Sequence, residues 1–372
     1  MRKQARDFRK EEVNYVMKRW KGSESCSLVG VGSVGKSNLI HHLIDEDTQT
    51  NYLGSQQTTL LKPIMIDPNM LGPLPANKET SEQFRCWAGY ELMMHRLYLA
   101  LYPLDILGDD ADDFFETYQL LQDGTNPLYA YMGLRYFELA LEFLLRKGIQ
   151  VIFLFDEFEE MLKQMPVKFF LTLRGMRDNH KSNLSYLTFT REPIPVLVDR
   201  MNIPELAIEP FTELFTDNLY FVGPYNDKDA RDMLNRLIKR NQRTNYPAHM
   251  ADFVLYASGR FAGILRATFR MADTLGMIQP RDIYRDEIID KLAARPAVRI
   301  ECQTIWKSLT PIEQEVLKAV ARLRHYEVND ETEQAIALLV RKNLVQVDNE
   351  RQTLHIEPPV FRSYVASNPD VV

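Results

Sequence analysis

Cysteine is scarce in this 372-residue sequence, which has only three. Cys26, Cys86 and Cys302 lie far apart with no C-x-x-C spacing, which argues against a disulfide framework and a cysteine zinc site and fits a reducing compartment. Cys26 stands in an apolar stretch, where buried packing is the ordinary role. Long apolar runs are missing as well. Nothing approaches the ~18–20 residues that cross a bilayer, and the apolar run Val151–Phe155 stops at Asp156. The first residues, MRKQARDFRKEEV, are charged throughout and do not read as a signal peptide. The expected compartment is the cytoplasm, and no membrane partner is expected. Positive charge is not in excess either: 45 Lys+Arg against 51 Asp+Glu give a net charge of -6, so there is no general attraction to polyanions, although a local basic patch would suffice for one. Internal repeats and low-complexity tracts are absent.

What is present is the composition of an ordinary globular protein, 45% apolar and 26% charged. The length suits two or three domains of ~100–200 residues each. An amphipathic helix is expected over 7–20. Strands are expected at 25–30, 61–66, 151–155, 184–190 and 219–222, alternating with helical segments at 36–45, 81–101, 128–146 and 166–178. Pro63 marks the second strand as an edge or a bulge. Residues 54–60 are polar and read as a loop, and 67–77, rich in proline, as a connector. Continuous apolar strands separated by helices predict a parallel sheet with helices on both faces. After Pro224 the pattern becomes consecutive helices. From Val298, two helices precede two short strands flanking Asp348–Arg351, which reads as a hairpin. The first of those helices opens with Thr310-Pro311-Ile312-Glu313, an N-cap with proline at the first helical position. The expected domains are a nucleotide-binding core (1–224), a helical lid and linker (225–297) and a winged helix (298–372).

Ser27 to Ile40 reads SLVGVGSVGKSNLI. Gly30, Gly35, Lys36 and Ser37 have the spacing G-x-x-x-x-G-K-[ST], between an apolar strand and an amphipathic helix. Glycines let such a loop aim its N–H groups at phosphate oxygens, and the next helix points its positive end at the same anion. The loop residues Gly30, Val31, Gly32, Ser33, Val34 and Gly35, with Lys36, Ser37 and Asn38, are therefore candidates to bind ATP or ADP. Lys36 would reach the β- and γ-phosphates and the Ser37 hydroxyl would ligate Mg²⁺. Asp156 ends an apolar strand as the second Mg²⁺ ligand does. Glu157 beside it is a candidate general base for the attacking water. The competing reading is two carboxylates in the first turn of a helix. Thr190 and Arg191 end another strand, where a parallel sheet opens its ligand crevice, and are candidates to touch the γ-phosphate or the water. Arg174 and Arg177 are either surface arginines or a finger toward a neighbouring subunit.

Together G-V-G-S-V-G-K-S, F-L-F-D-E, L-T-F-T-R and F-V-G-P-Y-N-D-K-D-A-R-D-M-L resemble the AAA+-related P-loop ATPases of STAND type, and are similar to origin-recognition initiator ATPases. The resemblance covers nearly the whole chain. It implies a P-loop ASCE/AAA+-like α/β core, a helical lid and a C-terminal winged helix. It also implies that Pro224, in a Gly223-Pro224 step one residue short of the family spacing, lies over the adenine. Ser258–Gly263 resembles the glycine-bearing turn of the lid. Phe8-Arg9-Lys10-Glu11-Glu12 is the nearest match to an aromatic-G-R-x-x-E stretch, without its glycine. Arg260 and Arg266 are the candidates for the lid arginine, and His355 for a phosphate-touching histidine.

The implied function is a slowly turning ATPase switch of STAND type, whose effector and sensor are separate proteins of a prokaryotic signalling or defence system, or a self-oligomer. The alternative is a DNA-associated AAA+ ATPase of initiator or transposition-helper type. A third reading is an adaptor that holds ADP. The helix expected to enter a DNA groove carries Asp330, Glu331 and Glu333 at its leading end. Residues 298–372 hold nine Lys+Arg and eleven Asp+Glu. DNA affinity rests on neutralising phosphates, so packing or protein contact is favoured over DNA for this segment.

Overall fold

The computed structural model describes residues 4–72, 78–123, 128–242, 245–276, 278–322, 326, 328–348, 350 and 353–367, and leaves aside the side chains of 78–81, 129 and 130. Parts of the expected connector (73–77) and of the hairpin turn (349 and 351) thus lie outside the described residues.

Five strands form a parallel sheet: β1 (Cys26–Val29), β2 (Leu61–Ile66), β3 (Gln150–Phe155), β4 (Leu184–Thr190) and β5 (Leu219–Phe221), in the order β2-β3-β4-β1-β5. β3 pairs with β2 from Leu61↔Gln150 to Ile66↔Phe155, and with β4 from Val151↔Leu184 to Phe155↔Thr188. Every residue of β3 and β4 is buried. That is why both read as unbroken apolar or small-polar runs rather than alternating ones. β2 is an edge strand, where Pro63 removes no N–H that an outer neighbour would need.

Residues 54–60 are not the expected loop. Helices Glu46–Leu53 and Ser55–Leu60 meet at Gly54, whose φ of 83° breaks the first and starts the second. The segment lacks an apolar stripe, and its polar groups bond to its own backbone. Thr58 Oγ1 donates to the Gly54 carbonyl at 2.9 Å, Thr59 Oγ1 to that of Ser55 at 3.0 Å, and Gln49 Nε2 to that of Leu43 at 3.0 Å. Such bonds satisfy a helix that apolar periodicity does not reveal.

The chain forms two compact units. The first comprises Met1–Arg6, Lys10–Leu28 and Ile40–Tyr220; the second comprises Asp7–Arg9, Val29–Leu39 and Phe221–Val372. In the first unit an aromatic cluster follows the sheet. Phe158 packs on Phe155 at 5.6 Å, Phe170 at 5.8 Å and Phe211 at 6.0 Å between ring centroids, with all four fully buried or nearly so. Burying one such side chain is worth about 1.5–3 kcal/mol. Phe158 immediately follows Asp156-Glu157, so this packing fixes the turn that carries the two carboxylates.

The second unit is helical: 227–240, 248–258, 262–271, 286–293, 296–308, 311–321, 330–341 and 359–367, with an antiparallel hairpin of β6 (Val345–Asp348) and β7 (Thr353–Ile356). The Thr310-Pro311-Ile312-Glu313 signal forms a full capping box, in which the Glu313 carboxylate accepts the Thr310 N–H at 2.9 Å. The other oxygen of Glu313 accepts from Lys342 Nζ at 2.6 Å, and both side chains are 0% exposed. This pair joins helix 311–321 to the end of helix 330–341. Removing one partner leaves a buried, uncompensated charge. Lys342→Met is therefore expected to destabilise the second unit by about 3–5 kcal/mol, read as lost hydrogen-exchange protection in helix 311–321. Unchanged protection there would contradict a structural role for the pair.

Candidate functional site

The phosphate-loop residues belong to the second unit, and the local backbone explains their identities. β1 ends at Val29, the loop occupies 30–35, and helix Lys36–Leu43 follows. Gly35 has φ 100°, a conformation that side chains with a Cβ rarely adopt, and Ser33 has φ 65°. A non-glycine residue stays there only when its surroundings hold it. Two contacts do so: the Ser33 carbonyl accepts the Gly263 N–H at 2.8 Å, and Ser33 Oγ donates to Glu301 Oε2 at 2.5 Å. Gly32 faces helix 296–308, and a Cβ there would lie 2.6 Å from Thr304 Cγ2. A Cβ on Gly263 would lie 2.3 Å from Glu301 Oε2. Gly263 and a carboxylate of helix 296–308 thus both close on the apex of the loop.

Arg9 fastens the loop from the other side. It is 1% exposed, and its Nη2 donates to the Val34 carbonyl at 2.7 Å and the Gly223 carbonyl at 3.0 Å. Its guanidinium lies 4.6 Å over the Tyr225 ring, its backbone N–H donates to Asp229 Oδ2 at 3.0 Å, and Phe8 meets Tyr225 edge-on at 5.4 Å. Tyr225 receives the Asn38 amide on its hydroxyl at 2.8 Å, and burial pushes its pKa up. The Phe8-Arg9 stretch, lacking the family glycine, therefore packs at the loop. Pro224 stands between two residues that Arg9 contacts. Lys36 Nζ turns back onto the Gly30 carbonyl, and the Ser37 hydroxyl is on an exposed residue.

The carboxylates lie in the first unit. Asp156 follows β3; its N–H donates to the Ile66 carbonyl at 3.0 Å and its Oδ1 accepts the Glu157 N–H at 3.0 Å. Glu157 has φ 45°, which turns the chain sharply between strand and helix. Its two oxygens are held apart by different donors: Arg191 Nη2 at 2.8 Å and Asn69 Nδ2 at 3.3 Å. Arg191 also approaches Glu159 at 3.4 Å. Arg191 thus orients the candidate base. Thr190 is 0% exposed, and its hydroxyl has no hydrogen-bond partner among the described residues. His41, in the helix after the loop, has its pKa lowered by burial, partly offset by the negative field of Asp156.

Arg174 is engaged by Asp178 at 2.8 Å and by the Pro210 carbonyl at 2.5 Å, and Arg177 donates to the Ser23 carbonyl at 3.0 Å. Both are tied to their own chain. Arg266 and His355 are exposed, and the Arg260 carbonyl accepts the Tyr225 N–H at 3.1 Å. Sequence reasoning missed Asn69, Tyr225, Asp229, Glu301 and Thr304. Tyr225 adjoins the Gly223-Pro224 step and was legible by position, whereas Glu301 and Thr304 lie in a helix with no motif.

Taken by itself, the loop of the second unit offers a Gly-turned backbone, an ammonium and a hydroxyl, donors of the kind that suit a phosphate, and the first unit offers at Asp156 a hard oxygen donor of the kind Mg²⁺ takes. Among the described residues no cluster of three or more His, Cys, Asp or Glu could cage a metal alone. Mg²⁺ held by one carboxylate, a hydroxyl and phosphates needs no such cluster. No helix among the described residues is long and apolar enough to cross a membrane.

No protein-family model matches the chain, and no curated protein does. Among solved structures, the fold is similar to that of a Walker-type ATPase of Pyrococcus abyssi, with a TM-score of 0.53 at 14% identity over 96% of this chain and 95% of that one. It is also similar to the ORC2 protein of Aeropyrum pernix, solved in ADPNP and ADP complexes, with a TM-score of 0.52 at 10% identity over 98% and 92%. At these identities the likeness is one of fold, a parallel five-stranded α/β core continuing into helices along nearly the whole chain.

Glu301 places a negative charge against the candidate phosphate loop. Glu301→Gln, which removes the charge and keeps an acceptor for Ser33 Oγ, is expected to tighten ADP or ATP binding about fivefold, the effect of about 1 kcal/mol of repulsion between unit charges a few ångströms apart in water. Titration calorimetry checks it, and weaker binding would show that Glu301 supports the loop instead of opposing its ligand.

Proposed function

We propose that the chain is an ATP-binding, slowly hydrolysing AAA+ ATPase of initiator-type build, acting in the cytoplasm. The observation that carries this reading is the phosphate loop itself, with Gly35 at φ 100° and Ser33 clamped at φ 65°, followed directly by Lys36 and Ser37. The loop backbone from Gly30 to Gly35 and Lys36 bind the β- and γ-phosphates, Asn38 supports the loop through Tyr225, and Pro224 lies near the base. Ser37 and Asp156 would be the ligands of Mg²⁺, which would neutralise charge on the phosphates. Glu157, oriented by Arg191 and Asn69, accepts a proton from the attacking water as that oxygen bonds to the γ-phosphorus and the bond to ADP breaks. Thr190, being buried, serves the strand end and does not touch the substrate.

Between the two switch readings, the likeness to the ORC2 fold supports the initiator type over STAND signalling. A DNA partner then does not rest on helix 330–341. Of the two basic residues at its end, Lys342 is buried on Glu313 and Arg341 lies over the Phe221 ring at 4.2 Å. Salt-sensitive duplex binding that appears only with ATP supports the initiator reading, and a nucleotide-dependent change of native mass without it favours a protein-directed switch.

Lys36→Ala is expected to abolish nucleotide binding. Glu157→Gln should keep binding and lose phosphate release by about 10²-fold or more. Equal turnover by wild type and Glu157→Gln would remove Glu157 from the chemistry, and ADP retained through purification with no turnover in wild type would leave a static binder.

A further inference from the structure

We propose that the helical excursion between β2 and β3 carries a docking face for a basic, amphipathic segment of a partner protein. The connection from β2 to β3 spans residues 67–149, or 149 − 67 + 1 = 83 residues. A crossover between adjacent parallel strands needs ~10–12. The surplus forms helices 78–101, 111–122 and 129–145, all within the first unit.

Helix 111–122 has two unlike faces. Phe114, Thr117, Tyr118 and Leu121 are buried against the core of the unit. Asp112, Phe115, Glu116 and Gln119, spaced i, i+3, i+4 and i+7, are exposed together. The exposed face is an aromatic strip bordered by carboxylates. Phe115, 39% exposed, has its ring 5.9 Å from that of Tyr98. Tyr98 in turn reaches Tyr102, 67% exposed, at 6.0 Å, and Leu99, 50% exposed, lies one turn before it. Behind the strip, Tyr98 stacks on Tyr118 at 4.4 Å with an interplanar angle of 7°, and Tyr118 bonds His95 Nδ1 at 2.8 Å. The exposed rings thus stand on a fixed base and lose little freedom on binding, which is the property of interface anchors.

The charge around the strip names the occupant. Between Leu97 and Gln122 there is no Lys or Arg, while Asp105, Asp109, Asp110, Asp112, Asp113 and Glu116 are all acidic. Asp110 is paired with Lys147 at 2.8 Å, and the other five are exposed. Such a field repels phosphate, so nucleic acid and anionic membrane are disfavoured. It attracts cations, and the apolar strip adds a demand for hydrophobic side chains. A segment with Lys or Arg on one side and Leu or aromatic residues on the other meets both, in the manner of an amphipathic helix laid on an apolar surface. This face shares no residue with the phosphate loop or with Glu157, so its test is independent of the ATPase reading.

The test uses the full chain and a fluorescein-labelled 18-residue Leu/Lys amphipathic peptide, with its Leu/Glu counterpart as control, read by anisotropy. Two variants are compared with wild type: Tyr102→Ala with Phe115→Ala, and Asp112→Lys with Glu116→Lys. Both are expected to keep wild-type nucleotide affinity, which controls for folding. Wild type should bind the Lys peptide saturably at one per chain and ignore the Glu peptide. Each variant should weaken binding tenfold or more, and the charge-reversed one should lose its salt dependence. Absent or unsaturable binding, or equal binding by wild type and both variants, would overturn the proposal. So would self-association of wild type that both variants abolish, since the occupant would then be a second copy of the chain. Duplex DNA binding lost by the aromatic variant would overturn it in favour of nucleic acid.

Discussion

The loop at residues 30–35 depends on burying one positive charge. An isolated guanidinium taken out of water costs several kcal/mol even after relaxation, and Arg9 is 1% exposed. The cost is offset because Arg9 meets carbonyl oxygens and an aromatic face: Val34 and Gly223 accept from Nη2, and Tyr225 lies beneath the plane. Three pieces of chain distant in sequence, at 9, 34 and 223, are brought to one point by this group. The phosphate loop can then keep its unfavourable dihedrals, since Val34, between Ser33 and Gly35, is held through its carbonyl. Neutralising Arg9 would release the loop and the residue preceding Pro224 together.

The first unit solves a different problem, that of aiming a carboxylate. Glu157 follows Asp156 through a left-handed turn at φ 45°, which a β-branched or bulky residue would resist. The turn is held from behind by Phe158 in the aromatic cluster and from the front by Arg191 and Asn69. A carboxylate gripped at both oxygens is oriented in advance, as the base proposed at Glu157 would have to be. The same grip engages Arg191 on Glu157, which supports the positioning role proposed for it. Asn69 comes from the segment after the edge strand β2, so strand order brings it to Glu157. Sequence separation gives no hint of it.

The strands were legible because each is a short apolar run with a polar stop, and β3 and β4 are buried on both faces. Gly35, Lys36, Ser37 and Asp156 stand out in the sequence as candidates because phosphate chemistry demands those residue types at those spacings, and the positive φ of Gly35 agrees with the turn expected there. Residues 46–60 were not, because their helices are stabilised by side chain–backbone bonds and a Gly54 break, neither of which leaves an apolar period. Glu301, Thr304 and Tyr225 were hidden for another reason. Their roles come from close approach to Ser33, Gly32 and Gly35, and closeness between elements far apart in sequence carries no local signature. Arg9 is the intermediate case, marked by its aromatic neighbour but obscured by the glycine missing between them.

The C-terminal helices show how charge can be used internally. Helix 330–341 opens with Asn329 as a capping box and carries Asp330, Glu331 and Glu333 in its first turn, where carboxylates favour the helix dipole. That arrangement stabilises the helix and repels a phosphate backbone at the same end. Its cations cannot compensate. Lys342 satisfies Glu313, which in turn caps helix 311–321, so freeing Lys342 for DNA would leave a buried carboxylate unpaired. Arg341 covers Phe221, at the end of β5 and two residues before the Gly223 carbonyl that Arg9 holds. The basic residues of this helix therefore act inward, on the packing that surrounds the phosphate loop. A protein of this build that meets DNA must do so with another surface, and one that does not has lost nothing in the packing of its second unit.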